Sequence, residues 1–189
     1  AAASGPVRAQ MAWRRRDASP EAKRWLVTDD RGVRITEALA FRITRDSGDV
    51  AFDAARGPGT YYLYYLPYTG SVRSNYPKIS YPRPDSTATA VFAMATRMAA
   101  ASLPRATVTA FEAVDTLSQR WPMQVIAMPS EVAAARRQAA PGQPYIVFVE
   151  DRSNPIKMTD DLPLTWTQRA PAAATLEPAE RDEYYSFQL

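Results

Sequence analysis

Apolar residues in this chain recur mostly at every second position in short runs, which is the period of strands; the three-to-four spacing of helices is rare. Residues 24–28 (RWLVT) read as a short strand, and Asp29-Asp30-Arg31-Gly32 as a turn by composition. Leu39, Phe41 and Ile43 alternate with Ala40, Arg42 and Thr44, which places the first three on one face of a strand. Ser47-Gly48-Asp49 predicts the turn of a hairpin, with residues 50–52 as its returning strand. Residues 1–21 show no regular pattern. Arg56-Gly57-Pro58-Gly59 interrupts the chain again. Residues 60–66 form the clearest strand. Large rings stand at its odd and even positions alike, so it is expected to be buried on both faces or covered by a loop.

Further along, residues 67–86 hold Pro67, Pro77, Pro82 and Pro84 with Tyr68, Tyr76 and Tyr81. Proline confines the residue before it to extended geometry, so a stiff loop is expected. Residues 87–102 mix the helix formers Ala and Met with Thr and Val and stay unassigned. Residues 107–114 and 123–128 read as strands. Ser130 is placed as the N-cap of a helix over residues 131–139, with Glu131 in its first turn, Arg136 and Arg137 in its last, and Pro141-Gly142 ending it. Residues 145–149 (YIVFV) are expected to be a central strand. Residues 152–174 read as loops with one short strand near Thr165-Trp166, the Ala-rich stretch from Ala170 to Ala174 as a linker, and residues 184–189 as a strand in which the chain stops. These elements predict a mainly β fold, a jelly-roll-like β-sandwich with long Pro/Tyr-rich loops and one or two short helices. The domain is expected over residues 1–176, with 177–189 the linker and first strand of a following domain.

Composition supports rigid β architecture, because sixteen prolines stand against seven glycines in 189 residues. The formal net charge is +3, and its densest run, Arg14-Arg15-Arg16, is followed at once by Asp17 and Glu21. A nucleic-acid binder carries a basic face or stripe, so no nucleic-acid partner is expected. The chain has no His and no Cys. It therefore lacks disulfides, thiol nucleophiles, the commonest general base and the usual zinc ligands other than carboxylates. No cofactor or metal is expected. No run of about 18 apolar residues predicts a membrane-spanning helix. Ala1-Ala2-Ala3-Ser4-Gly5 is compatible with the residue of a signal-peptide cut and with a cloning remnant.

Several dense blocks carry a resemblance. They are Trp13-Arg14-Arg15-Arg16-Asp17 with Pro20-Glu21, Gly59 to Tyr68, Trp121-Pro122-Met123-Gln124-Val125-Ile126-Ala127, Glu150-Asp151-Arg152 with Pro155-Ile156-Lys157-Met158, Leu162-Pro163 with Trp166, and Tyr184 to Gln188. In this order they resemble the N-terminal domain of bacterial glycoside hydrolases of family 123 type, over roughly residues 8 to 189. The Ala-rich stretch from Ala88 to Ala101 matches poorly. The resemblance implies a β-sandwich preceding a second β-rich region and a catalytic barrel, in a secreted or periplasmic enzyme. It also implies release of N-acetylgalactosamine from glycans by a substrate-assisted route, in which an adjacent Asp-Glu pair of the barrel orients the sugar's N-acetyl group. The implied partners are a glycan or polysaccharide, through the parent enzyme, and the remaining domains of the same polypeptide. No catalytic residue is assigned in this chain.

Asp182-Glu183 is a literal adjacent pair, but it falls in the boundary segment and reads as a solvated turn. Tyr68, Tyr76, Tyr81 and Trp121 are the candidate carbohydrate-binding residues, because an aromatic ring stacks on the C–H face of a sugar and binding residues concentrate in loops. Arg15, Arg16 and Asp17, and Glu150, Asp151 and Arg152, are candidate structural ion pairs. Asp160-Asp161 alone supplies too few oxygens for calcium. Three readings follow: a non-catalytic scaffold of a glycoside hydrolase; an autonomous carbohydrate-binding module using the loop tyrosines; and a hydrolase in its own right, with Glu150, Asp151 or Asp161 as its carboxylate pair.

Overall fold

The computed structural model describes residues 4–71, 78–113, 120–138, 142, 144–169, 180–184 and 186–188. Its contacts divide the chain into two compact units, 1–112 and 113–189. Strands in several sheets with a few short helices make it mainly β, and no closed barrel occurs among the described residues.

In the first unit, β1 (Pro6–Ala12) buries Val7, Ala9 and Met11 and turns Arg8 and Gln10 outward. Residues 1–21 are therefore less irregular than the sequence reading held. The alternation is present, but Ala and Met signal a strand weakly. Next come β2 (Trp25–Thr28), β3 (Arg34–Ile35), β4 (Ala38–Ile43) and β5 (Ser47–Asp53). After them lie β6 (Tyr62–Tyr65), β7 (Thr69–Ser71), β8 (Lys78–Ser80), helix α1 (Ala90–Met98) and β9 (Arg105–Ala106). One sheet has the order β4-β5-β1-β9 and a second the order β3-β2-β6. β1 pairs with β5 along its whole length, from Pro6 opposite Asp53 to Ala12 opposite Ser47, and runs parallel to β9.

The two sheets share one core. Val7, Met11, Val50 and Phe52 from the first, and Trp13 just after β1, meet Val27 of the second, with Trp25, Ile35, Leu63 and Tyr65 packed against them. Each such large apolar side chain contributes about 1.5–3 kcal/mol relative to an exposed one. On the other face of the first sheet, Leu39, Ala51 and Leu103 are covered by Phe92, Ala93 and Ala99 in and after α1. Thr89 caps that helix, its hydroxyl accepting from the Phe92 amide at 3.2 Å.

Four local expectations change here. The β4–β5 register shifts between Ala40 and Arg42. That bulge sends Ile43 to the shared core, while Leu39 and Phe41 stay beneath α1. Gly48 is not in the turn but inside β5, where a Cβ would stand 2.5 Å from the Trp13 ring; only glycine admits the indole there. Within the predicted loop 67–86, β7 and β8 form an antiparallel pair. Gly70 has φ of +114° and its missing Cβ would meet the Lys78 carbonyl oxygen at 2.0 Å. The expected strand at 107–114 is absent over 107–113. All seven of those residues are exposed, and the parallel pairing with β1 is made by β9 just before them.

The second unit is sparser. It contains a 3-10 turn (Pro122–Gln124), α2 (Pro129–Gln138), β10 (Glu150–Asp151), the short helix α3 (Leu164–Thr167) and β11 (Phe187–Gln188). Residues 123–128 are not a strand. Pro122 opens the 3-10 turn, and Ile126 sits in an isolated antiparallel bridge to Pro163 outside any strand. α2 starts at Pro129, so Ser130 lies inside the first turn, and the Glu131 carboxylate accepts from the Met128 amide at 2.7 Å. Residues 145–149 form no strand either. Phe148 is buried against Trp166, with ring centroids 5.0 Å apart, while Tyr145 is 69% exposed and Val147 42%. Residues 165–166 are helical. β11 pairs antiparallel with β10, Glu150 facing Gln188.

Candidate functional site

The arginine run before Asp17 is built into the first unit. Arg15 has no exposed surface. Its guanidinium lies 5.1 Å from the ring centroids of both Trp13 and Tyr65, and it donates to the two oxygens of Asp17 at 2.9 and 2.8 Å. Planar, weakly hydrated guanidinium suits both contacts. Its amide donates to the Arg45 carbonyl at 2.8 Å, and the Arg45 side chain returns a bond to the Arg15 carbonyl at 3.1 Å. Trp13 donates its indole N–H to the Thr44 carbonyl at 2.8 Å. Arg16 is exposed; its carbonyl accepts from Arg45 at 3.4 Å.

The ion pair leads on to a candidate ring. The Lys23 ammonium lies 3.4 Å from Asp17 and 5.4 Å from the ring centroid of Tyr81, which is 38% exposed. Tyr68 is half-buried. Tyr68 and Tyr81 each stand one residue outside the last pair of the β7–β8 ladder, Thr69 with Ser80, at the base of that hairpin. Tyr76 lies outside the described residues. Trp121, in the second unit, is 67% exposed with the Lys157 ammonium 5.5 Å from its ring centroid.

Sequence reasoning missed the exposed rings of the first unit. On β6 the odd positions Leu63 and Tyr65, with Tyr61 just before, pack against the core. Tyr62 and Tyr64 point the other way, 49% and 37% exposed. The strand is thus neither buried on both faces nor fully covered. The signal was present in the spacing, since residues two apart share a face. What it lacked was the edge position of β6, beyond β2, which leaves that outer face open.

Other carboxylates of this unit are also occupied. Arg8 donates to Asp49 at 2.7 Å, joined by Gln10 at 2.8 Å. The Arg8 bond holds the Asp49 carboxyl below the usual carboxylate range, against the opposing effect of burial. Arg34 donates to both oxygens of Asp85, at 2.8 and 2.9 Å. Asp29 is 2% exposed. It accepts from the Arg31 and Val33 amides at 3.0 and 2.8 Å and pairs with Arg56. It lines an open polar hollow with Arg56, Gly59 and Tyr61. Burial first, then the charges of Asp29 and Asp53, pushes the Tyr61 phenol up from its ordinary value.

In the second unit Glu150 is 4% exposed. One oxygen accepts from Asn154 at 3.2 Å; the other accepts from the Trp166 indole at 2.9 Å and from Arg169 at 2.7 Å. Asp151 accepts from the Ser153 amide at 2.5 Å; the Ser153 side chain first, and then that amide, hold its carboxyl below the usual range. Arg152 pairs with Glu183, so the cation on Glu150 is Arg169 and not its sequence neighbour. Asp160 and Asp161 line a second hollow beside Ile156, Met158 and Trp166. Among the described residues no group of three or more acidic side chains is placed to hold a metal ion, and no helix is long and apolar enough to cross a membrane.

Chemically, the first unit offers ion pairs that bind its own segments together and an open face of two tyrosines. The second offers a carboxylate saturated by three donors. Neither arrangement leaves a carboxylate pair free to divide acid and base roles. No curated protein and no solved structure matches the chain. The family model described as glycoside hydrolase 123, N-terminal domain, matches residues 2–114, which is close to the extent of the first unit. The chain belongs to that family.

Proposed function

We propose that this chain is a non-catalytic support within a glycoside hydrolase: its β-sandwich docks against the catalytic part and helps shape the substrate cleft. The enzyme acts on glycans, N-acetylgalactosamine-containing ones among them, in a secreted or periplasmic setting. The observation that carries this reading is the overlap of the family match with a unit in which Asp17, Asp49 and Asp85 are committed to its own fold. Asp17, Asp49 and Asp85 each meet an arginine, and the chain has no His or Cys to replace them as acid, base or nucleophile.

The test is turnover of p-nitrophenyl β-N-acetylgalactosaminide and of a panel of other aryl glycosides by the purified chain. None is expected. Hydrolysis that disappears in Glu150→Gln or Asp161→Asn would overturn the reading in favour of a hydrolase built on those carboxylates. For the supporting role, the enzyme that carries this segment should lose heat stability and turnover together when the segment is removed; retention of both would count against it.

A further inference from the structure

We infer that the outer face of β6 is a saccharide-stacking platform, with Tyr62 and Tyr64 as its two rings and a neutral glycan as its ligand. This rests on the assignment of the chain to a glycoside hydrolase, and it differs from the loop-tyrosine site expected from the sequence.

The face is formed by alternation. Tyr62 and Tyr64 stand two residues apart, so their Cα atoms are separated by about 6.7 Å along the strand, a spacing on the scale of one pyranose unit. Across the ladder they face Thr28 and Leu26 of β2. Thr28 is buried and Leu26 half-buried, so the rings rise beside a filled surface and not over a hole. Neither phenol has a hydrogen-bond partner among the described residues, which leaves both hydroxyls to a ligand. Tyrosine combines a flat apolar ring with one polar atom and few rotatable bonds, the properties that bind a sugar's C–H face and its hydroxyl rim with little ordering cost.

The surroundings argue for a neutral ligand. The nearest charged side chains across the sheet, two arginines, are already engaged by one carboxylate. Arg34, opposite Thr28 on β3, is held by Asp85, and Arg24 lies 3.5 Å from the same carboxylate. The Arg24 amide donates to the Pro82 carbonyl and its side chain to the Arg83 carbonyl, so the extended segment around Pro82 and Asp85 is tied to this end of β2. A sulfated or carboxylated glycan would have to compete with Asp85 for these two arginines, whereas a neutral one would not. Tyr81 and Trp121, by contrast, each have a lysine ammonium within 5.5 Å of the ring centroid, so one cation already engages each of those rings.

The experiment is a screen of the purified chain on an array of neutral glycans. The best ligand is then titrated against the parent, Tyr62→Ala, Tyr64→Ala, the double variant and Tyr81→Ala. Millimolar or tighter binding is expected, weakened roughly tenfold by each platform substitution, lost in the double variant and kept in Tyr81→Ala. Circular-dichroism melts should show all variants folded, since both rings are exposed. Absence of binding on every neutral glycan by the folded parent would overturn the platform while leaving the non-catalytic reading in place. Binding that survives the double variant would overturn it too. So would self-association abolished by the double variant without glycan binding, which would give the face to a protein strand. Aryl-glycoside turnover, measured on the same samples, would strike the non-catalytic reading alone.

Discussion

The two units each bury a charged side chain held by an opposite charge, and they assemble that site from opposite materials. In the first, Arg15 and Asp17 are two residues apart, and the rings enclosing the guanidinium come from the same stretch and from β6. In the second, Glu150 collects donors 4, 16 and 19 residues away, from a loop, a short helix and the segment after it. The first pair braces two sheets that already share a continuous core. The second sits beside a core of Met123, Phe148 and Trp166, where polar bonds do a larger part of the holding. A buried charge is thus a local clasp in one case and an organising centre in the other.

The sharpest way to break this comparison is Arg15→Met. It leaves Asp17 buried with Lys23 as its remaining cation, and about 3–5 kcal/mol of stability should be lost, read by denaturant melts. Glu150→Gln should cost less, about 1–3 kcal/mol, because Arg169 is 42% exposed and stays hydrated. Hydrogen exchange should speed up in residues 120–169 and not in β1 and β5; equal acceleration in both would contradict the assignment of the bonds to one unit. Gly48→Ala forces a Cβ into the Trp13 ring and should cost about 1–3 kcal/mol.

A smaller effect is expected from pH. The Asp49 carboxyl titrates lower in the folded chain than in the unfolded one. Its contribution is present above the unfolded value, near 4, and is lost as pH falls through the folded value. Melts of the parent and Asp49→Asn should converge on acidification below pH ~4; a gap that widens there would contradict the sign. Tyr62→Ala and Tyr64→Ala should be the mildest, within about 0.5 kcal/mol each, since they remove exposed rings.

Legibility in the sequence followed the same divide. The first unit's alternation at Leu39 and Phe41, the strand at β6 and the return at Val50–Phe52 were readable because each run has a partner strand, β4 and β5 one another and β6 the distant β2. The apolar runs at 123–128 and 145–149 looked equally strand-like, yet Pro122 diverts the first into a turn, and the second sends Ile146 and Phe148 to the core with no partner strand among the described residues. Hydrophobic period reports which way side chains point; pairing depends on what stands alongside. The arginine–aspartate clasp was legible from adjacency. The Glu150 site was not, because Trp166 and Arg169 reach it only once α3 has folded, and the open face of β6 was not, because edge position is a property of the sheet.

One consequence of that face concerns how the chain finds its own alignment. Tyr61-Tyr62-Leu63-Tyr64-Tyr65 reads almost the same when slid by one residue, so ring burial alone distinguishes poorly between the two threadings, although a slip would turn every side chain over. The tie is broken by polar marks. The Tyr61 hydroxyl donates to the Gly57 carbonyl at 3.0 Å, and Tyr65 lies against the Arg15 guanidinium. The buried cation therefore works as an index pin: removing it should degrade the fidelity of β6 alignment as well as the depth of the native minimum.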